Sequence, residues 1–446
     1  MESRAVVRDS EGDLEHVEAS PHWSLAKRIA FRFWFLYAGL YILATQILAT
    51  IFIPGIDVPD PGTLGPARAA VAWVAKNVFR VSTDLVVTGS GSGDKTFDWT
   101  QAVCILAIAA AGAALWSILD RRRRSDTALE RWLRLAIRIA LGSTLILYGI
   151  DKLVPLQMPF PFLSRLIEPY GRFSPMGVLW ASIGASPAYE IFTGCAETLG
   201  GILVLLPRTA VLGALVCLAD VTEVFVLNMT YDVPVKLFAF HLILFTLYLL
   251  APEWPRLRDL FLLGRGVGPS TEPPLCRSVR ANRFASAVLA LYVVYLLGMN
   301  LRSAARGWKE YGGGAARPAY YGIWDVEQMT VDGASRPPLA GDTERWRRIV
   351  FQFPGGAVVQ RMDDSSLPLR AELTVGDRRL ALTNREDSKW TASFLVEKPA
   401  DGSDRLVLDG DLDHHRARFE LRRVDETKFL LVSRGFHWIQ EYPFNR

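Results

Sequence analysis

Six ionisable side chains stand inside three consecutive apolar stretches: Glu190 and Glu197 in the first, Asp220 and Glu223 in the second, Lys236 and His241 in the third. Each is costly to place in hydrocarbon unless paired or hydrated, so such residues mark either a structural network or a working site. Glu190 and Glu197 are seven residues apart, two helical turns, and share a helix face; Asp220 and Glu223, three apart, do likewise. Lys236 and His241 are five apart and do not face one point equally. At about 1.5 Å rise per residue, Glu197, Asp220 and His241 fall near mid-membrane, and Glu190, Glu223, Asn228 and Lys236 lie nearer one surface. Asp151 and Lys152, one turn beyond Tyr148 at the end of another apolar stretch, reach the same cluster at its rim.

Two uses of this cluster stay open. As a structural network, Glu197 or Asp220 pairs with His241 and Glu223 with Lys236, joining helices that Gly194, Gly200, Gly201 and Gly213 allow to approach. As a working site, Glu197, Asp220, Glu223 and His241 relay protons or touch a ligand, while Glu190, Lys236, Asn228, Tyr148, Asp151 and Lys152 bind it. Four acids against two bases suit proton transfer.

Other chemistry is faint. Gly93-Asp94-Lys95-Thr96 misses the phosphate-loop pattern by one position, and Gly89 to Gly93 and Gly264 to Gly268 lack the dinucleotide spacing. A single membrane histidine excludes a bis-histidine haem within this chain. His414 and His415 are adjacent on a predicted strand edge and point to opposite faces, so no metal pair forms there. Cys104, Cys195, Cys217 and Cys276 fall in separate segments without a CxxC pair, and Cys195 near Glu197 reads as a packing residue. Neither a metal nor a covalent cofactor is expected.

The elements that must hold the cluster are membrane helices. Half of the 446 residues are hydrophobic, only 22% are charged and the net charge is +4, with arginines in short runs rather than a stripe interleaved with aromatics, which excludes a nucleic-acid partner. A span needs about 20 apolar residues, and seven stretches qualify: Ile29 to Ile53, Gln101 to Leu119, Leu133 to Ile150, Ala188 to Leu206, Thr209 to Asn228, Val233 to Ala251 and Phe284 to Asn300. Arg134 and Arg138, in the first turns of the third, are expected to snorkel to the surface. Arg121 to Arg124 and the six arginines between Arg256 and Arg283 mark cytoplasmic loops, which puts the amino terminus inside and everything after Asn300 outside, in a bacterium the periplasm. Residues 1–24 read as a disordered cytoplasmic tail without a signal sequence. The outside loops are long: Pro54 to Asp98 holds an amphipathic stretch, Ala69 to Val81, and Asp151 to Pro187 is rich in proline and aromatics, as in loops that cover sites.

After a linker, 301–318, with a hinge at Gly312 to Gly314, residues 319–446 read as short strands: Tyr320 to Met329, Trp346 to Phe353, Ala357 to Met362, Leu369 to Val375, Arg379 to Thr383, Trp390 to Glu397, Arg405 to Leu408, Arg416 to Arg423 and Phe429 to Ser433. Sequential strands with short turns predict an up-and-down antiparallel β-barrel. Gly322-Ile323-Trp324 on the first strand with Arg434 after the last resembles the lipocalin-like pattern, in which the Trp closes the barrel floor under an Arg. The expected fold is thus an all-α membrane bundle of about seven helices, residues 25–300, plus a carboxyl-terminal lipocalin-like barrel.

Tyr148-Gly149-Ile150-Asp151-Lys152, Glu197-Thr198-Leu199-Gly200-Gly201 and Asn228-Met229-Thr230-Tyr231-Asp232-Val233-Pro234-Val235-Lys236 resemble the DoxX family of bacterial membrane proteins, over a unit of about 129–252. The ending from Arg434 to Arg446, with Gly91-Ser92-Gly93-Asp94, is similar to a longer subgroup bearing an extra domain. Some DoxX relatives are subunits of thiosulfate:quinone oxidoreductases, so the resemblance implies a quinone beside the acidic cluster, in a bacterial inner membrane. A remoter similarity, in architecture only, is to vitamin-K-dependent carboxylases. With no haem pair, CxxC, iron–sulfur spacing or dinucleotide fingerprint, a redox role needs a separate redox subunit. The alternatives are proton-coupled transport or binding of a small molecule or lipid, and a scaffold for an envelope protein complex in which Phe436, Trp438, Tyr442 and Phe444 dock on the bundle or membrane interface, or simply pack as core.

Overall fold

A computed structural model describes residues 23–56, 59–270, 274–276, 278–374, 376, 378–384, 386–387, 389–398 and 404–445. Most of the tail expected at 1–24 lies outside the described residues. The helical part runs α1 (Leu25–Ala44), α2 (Ile47–Phe52), α3 (Gly65–Asn77), α4 (Thr96–Leu119), α5 (Thr127–Leu153), α6 (Leu163–Leu166), α7 (Pro175–Gly184), α8 (Pro187–Leu205), α9 (Ala210–Thr230), α10 (Lys236–Leu250), α11 (Trp254–Phe261) and α12 (Val279–Glu310). Among the described residues six helical stretches are long and apolar enough to cross a membrane: α4, α5, α8, α9, α10 continued through α11, and α12. The first expected span differs. It is broken at Thr45, which turns extended (φ −116°, ψ 175°) and donates its hydroxyl back to Tyr41 O at 2.7 Å.

The described chain forms two compact units. One holds residues 23–48, 59–140 and 251–283. Its anchor is Arg32 on α1, which is buried, donates to Asp126 and Asp120 at 3.1 and 3.2 Å, and stacks on Trp116. A buried guanidinium is tolerated where carboxylates and carbonyls replace its water, and these ion pairs tie down both ends of the arginine run after α4. Arg134 and Arg138, expected to snorkel, are buried within the protein. The Gly93 to Thr96 motif is the start of α4, where Asp98 accepts the Lys95 amide at 3.0 Å and Lys95 Nζ donates to Ser92 O at 2.6 Å.

The other unit holds residues 49–56, 141–250 and 284–445. Its helices pack through glycines. A Cβ on Gly149 would lie 2.9 Å from Gly194 O and one on Gly201 would lie 2.8 Å from Gly142 O, so α5 and α8 meet backbone to backbone over two turns. Gly213 gives α9 the same access to α8 at Val204.

The barrel of this unit consists of β1 (Gly322–Val331), β2 (Ala334–Ser335), β3 (Trp346–Phe353), β4 (Gly356–Arg361), β5 (Ser366–Thr374), β6 (Arg379–Asn384), β7 (Thr391–Glu397), β8 (Arg405–Leu412) and β9 (His415–Arg423). Each neighbour pairs antiparallel, and β9 returns to β1 through Trp324↔Arg423 and Val331↔Ala417, closing eight strands with β2 as a short flap on β1. Buried residues alternate along β5 to β9, whereas register shifts interrupt the alternation in β1 and β3. Trp346 stacks on Phe419 at 4.6 Å and meets Phe394 edge-on, filling the interior with aromatic rings.

One expectation is corrected here. Phe429 to Ser433 is not a strand: closure by β9 leaves it unpaired, and it forms a helical turn, α13 (Leu430–Ser433). Arg434 stacks on Phe444 at 4.5 Å and bonds His437 and Gln440, while Trp324 donates its indole N–H to Tyr320 O. The glycines of the expected hinge wrap Trp308: a Cβ on Gly313 would lie 2.4 Å from its ring, so these positions serve close packing.

Candidate functional site

The side chains that could do chemistry converge where α5, α8 and α9 meet. Lys152 lies one turn beyond Gly149, and Glu197 one turn beyond Gly194. Because those glycines bring the two backbones together, Lys152 Nζ donates to Glu197 Oε2 at 2.6 Å, and both side chains are buried. Asp151, Glu190, Asp220 and Glu223 stand within electrostatic range of this pair. One ammonium therefore sits among five carboxyl groups.

A cavity of about 110 Å³ opens against the pair. Its apolar wall includes Leu145, Leu179, Ile183, Leu227, Phe238 and Leu242, and its polar groups include Tyr148, Lys152, Gln157, Thr193, Glu197, Glu223 and Asn228. An apolar cavity of roughly 150 Å³ takes one benzene ring, so this volume is of the order of a single ring.

The long connection from α5 to α8 supplies the cavity's cover. Gln157, Met158, Leu179, Trp180 and Ile183 line it from this segment. Glu190, fully buried in the first turn of α8, accepts the Met158 amide at 2.8 Å, and its second oxygen has no hydrogen-bond partner among the described residues. Trp180 donates its indole N–H to Gln157 O at 2.9 Å. The outer side of the segment grips the barrel: Phe162 meets Phe353 edge-on at 4.8 Å, Gln352 accepts the Ser164 amide, and Gln360 and Arg172 donate to Ile167 O and Asp363 O.

Of the residues singled out in the sequence, Tyr148, Lys152, Glu197, Glu223 and Asn228 line the cavity. Asp151, Glu190, Asp220, Lys236 and His241 are outside its lining. His241 is buried and donates Nδ1–H to Leu237 O at 2.7 Å, and Lys236 bonds Asp232 at 3.0 Å. The prominent ion pair is thus Lys152 with Glu197 rather than a carboxyl with His241. Sequence reading puts Lys152 at the rim; its pairing with Glu197 depends on the register of two antiparallel helices, which no local pattern carries. Met158 and Trp180 carried no signal of their own. Among the described residues no three His, Cys, Asp or Glu side chains are arranged to hold a metal ion.

No family model matches this chain, and no solved structure matches it. It is similar to the uncharacterized protein YwoB of Bacillus subtilis (strain 168), 28% identical over 119 residues that make up 27% of this chain and 75% of that protein.

Proposed function

We propose that the bundle binds a small lipophilic ligand with a polar head, of the quinone class, as one subunit of a membrane redox system of DoxX type. The observation that carries this reading is the buried Lys152–Glu197 pair on the wall of an otherwise largely apolar, ring-sized cavity. The residues fit such a group: the Lys152 ammonium and the Asn228 amide can donate to ring oxygens, and Leu145, Phe238 and Leu242 can enclose the ring. A bound quinone would supply two-electron, two-proton chemistry. Glu197, with Asp220 and Glu223 in electrostatic range, would take up and release the protons, while Lys152 holds the oxygen end of the ring. Electrons would come from a separate subunit. The membrane would be the bacterial inner membrane, with the barrel on its periplasmic side. The surplus of carboxyls over one ammonium favours, as a second reading, proton-coupled movement of a small solute through the same cavity.

The test is mass spectrometry of organic extracts from protein purified in mild detergent, wild type against Glu197→Gln, with thermal unfolding as the check on folding. A stoichiometric quinone lost in the variant is the expected result. No quinone in either would overturn the redox reading, and a proton-dependent flux in liposomes abolished by the same substitution would establish the second.

A further inference from the structure

We propose that the carboxyl-terminal segment, residues 429–445, is an interfacial anchor that lays its aromatic side chains into the lipid headgroup region and holds the barrel on the bilayer.

Connections from the apolar helices mark one end of the barrel. The barrel follows the last apolar helix closely: α12 ends at Glu310 and β1 begins at Gly322. At that same end Ile323 O accepts the Val424 amide just after β9. Leu163, ten residues past the end of α5, packs with Ile323 and Val350, and Leu166, Ile167, Val424 and Phe429 join the cluster. Two connections from spans, one after α5 and one after α12, therefore reach this end of the barrel. Phe429, the root of the segment, is fixed there.

From that root the chain turns outward instead of covering the barrel. Leu430, Leu431, Val432, Phe436, Ile439 and Tyr442 are exposed, and Trp438 is 91% exposed, although the barrel's own apolar residues are almost all buried. The segment is nonetheless shaped. Arg434 caps α13, stacks on Phe444 and bonds His437 and Gln440, so the chain folds back on itself and presents the remaining rings together. Phe436 and Trp438 meet edge-on at 5.0 Å. Phe436, Trp438 and Tyr442 thus do not pack as core among the described residues.

A bilayer suits such a surface better than a partner protein does. Trp and Tyr combine an apolar ring with a polar tip and concentrate at membrane–water interfaces. The root already lies at the end of the barrel reached by the spans. Arg434 is balanced by Glu441, so the described part of the segment needs no anionic lipid.

The experiment uses the full chain in phosphatidylcholine nanodiscs, with Cys104, Cys195, Cys217 and Cys276 replaced by Ala and an environment-sensitive fluorophore at Trp438→Cys. A second label goes at Ser335→Cys on β2, which pairs with Thr330 near the far end of β1, eight residues and roughly 26 Å along the strand from Gly322. Label at 438 should emit to the blue and lose on the order of half its intensity when shallow doxyl lipid is included, with less quenching by deep doxyl lipid; label at 335 should respond to neither. A label at 438 that emits as in water overturns the proposal. A blue-shifted label that doxyl lipid does not quench overturns it too, because the segment would then be buried against protein. Placing the label at Tyr442→Cys repeats the measurement without altering Trp438.

Discussion

Gly149 on α5 and Gly194 on α8 face each other so closely that a methyl group on Gly194 would lie 2.6 Å from Gly149 O and 2.7 Å from the Leu153 amide. The helices run antiparallel, so Lys152, one turn past Gly149, and Glu197, one turn past Gly194, lie on either side of this contact, and the long Lys152 side chain reaches across it to Glu197. The site's ion pair is thus a consequence of a backbone contact. Gly194→Ala should push the helices apart and destabilise the protein by about 1–3 kcal/mol, read as a lowered thermal unfolding midpoint in detergent. Gly298→Ala on α12, where nothing lies within 4 Å, is the control and should be neutral or slightly stabilising. Equal effects of the two substitutions would refute the contact.

The pair itself can be weighed by a double-mutant cycle. Lys152→Met leaves the Glu197 carboxyl buried without its ammonium and should cost about 3–5 kcal/mol, whereas Lys152→Met with Glu197→Leu should cost much less than the sum of the single substitutions. Additive losses would mean that the two side chains act independently.

Much of this arrangement was legible in the sequence, for identifiable reasons. Hydrophobic length revealed the spans, because a helix in hydrocarbon must be long and apolar. Strand alternation revealed the barrel, most cleanly in β7 and β8, where one face is buried, and Trp346 to Phe353 matches β3 to the residue. Charge in an apolar context revealed Glu197 and its neighbours. What was hidden depends on registry between segments distant in the chain. Lys152 finds Glu197 only because α5 and α8 align glycine to glycine, and Met158 becomes a cavity wall only because Glu190 holds its amide. Phe429 to Ser433 looked like a strand because its apolar residues fit one, yet closure of β9 on β1 left no edge for it to join.

The cover over the cavity should loosen when its grip on the barrel is weakened. Phe162→Ala removes the edge-to-face contact with Phe353, worth about 0.5–1.5 kcal/mol beyond burial. Hydrogen exchange of the peptide containing Met158 should accelerate several-fold, while strands β5 to β8 keep their protection. Unchanged exchange at Met158 would show that the barrel does not restrain the cover.

The barrel should lose stability in acid through Asp342. Its carboxyl accepts two bonds from Arg336 and the amides of Glu344 and Arg345, and these, the Arg336 guanidinium first, hold it below the usual carboxylate range. A group whose affinity for protons is lower in the folded state stabilises that state above the unfolded value near 4 and loses the contribution as pH falls through the folded value. After solvent screening the effect is on the order of 1 kcal/mol. Near-UV circular dichroism between pH 6 and pH 2 should show a shallower loss in Asp342→Asn than in wild type; parallel curves would assign the acid sensitivity elsewhere.

Orientation follows from combining a contact with a charge rule. The segment between α5 and α8 touches the barrel through Phe162, Ser164 and Arg172, so the two share one side of the membrane whichever side that is. If α5 crosses the membrane, Arg121 to Arg124, which precede it in the chain, are expected on the opposite side, where positive loops are retained in the cytoplasm. The barrel is therefore expected outside. In a background without the four native cysteines, Ser335→Cys should react with a membrane-impermeant maleimide in intact spheroplasts, and Arg122→Cys only after permeabilisation. The reverse pattern would invert the topology without disturbing the site. Reaction of both in intact spheroplasts would mean that α5 does not cross the membrane, and with it would fall the placement of Lys152 and Glu197 in hydrocarbon.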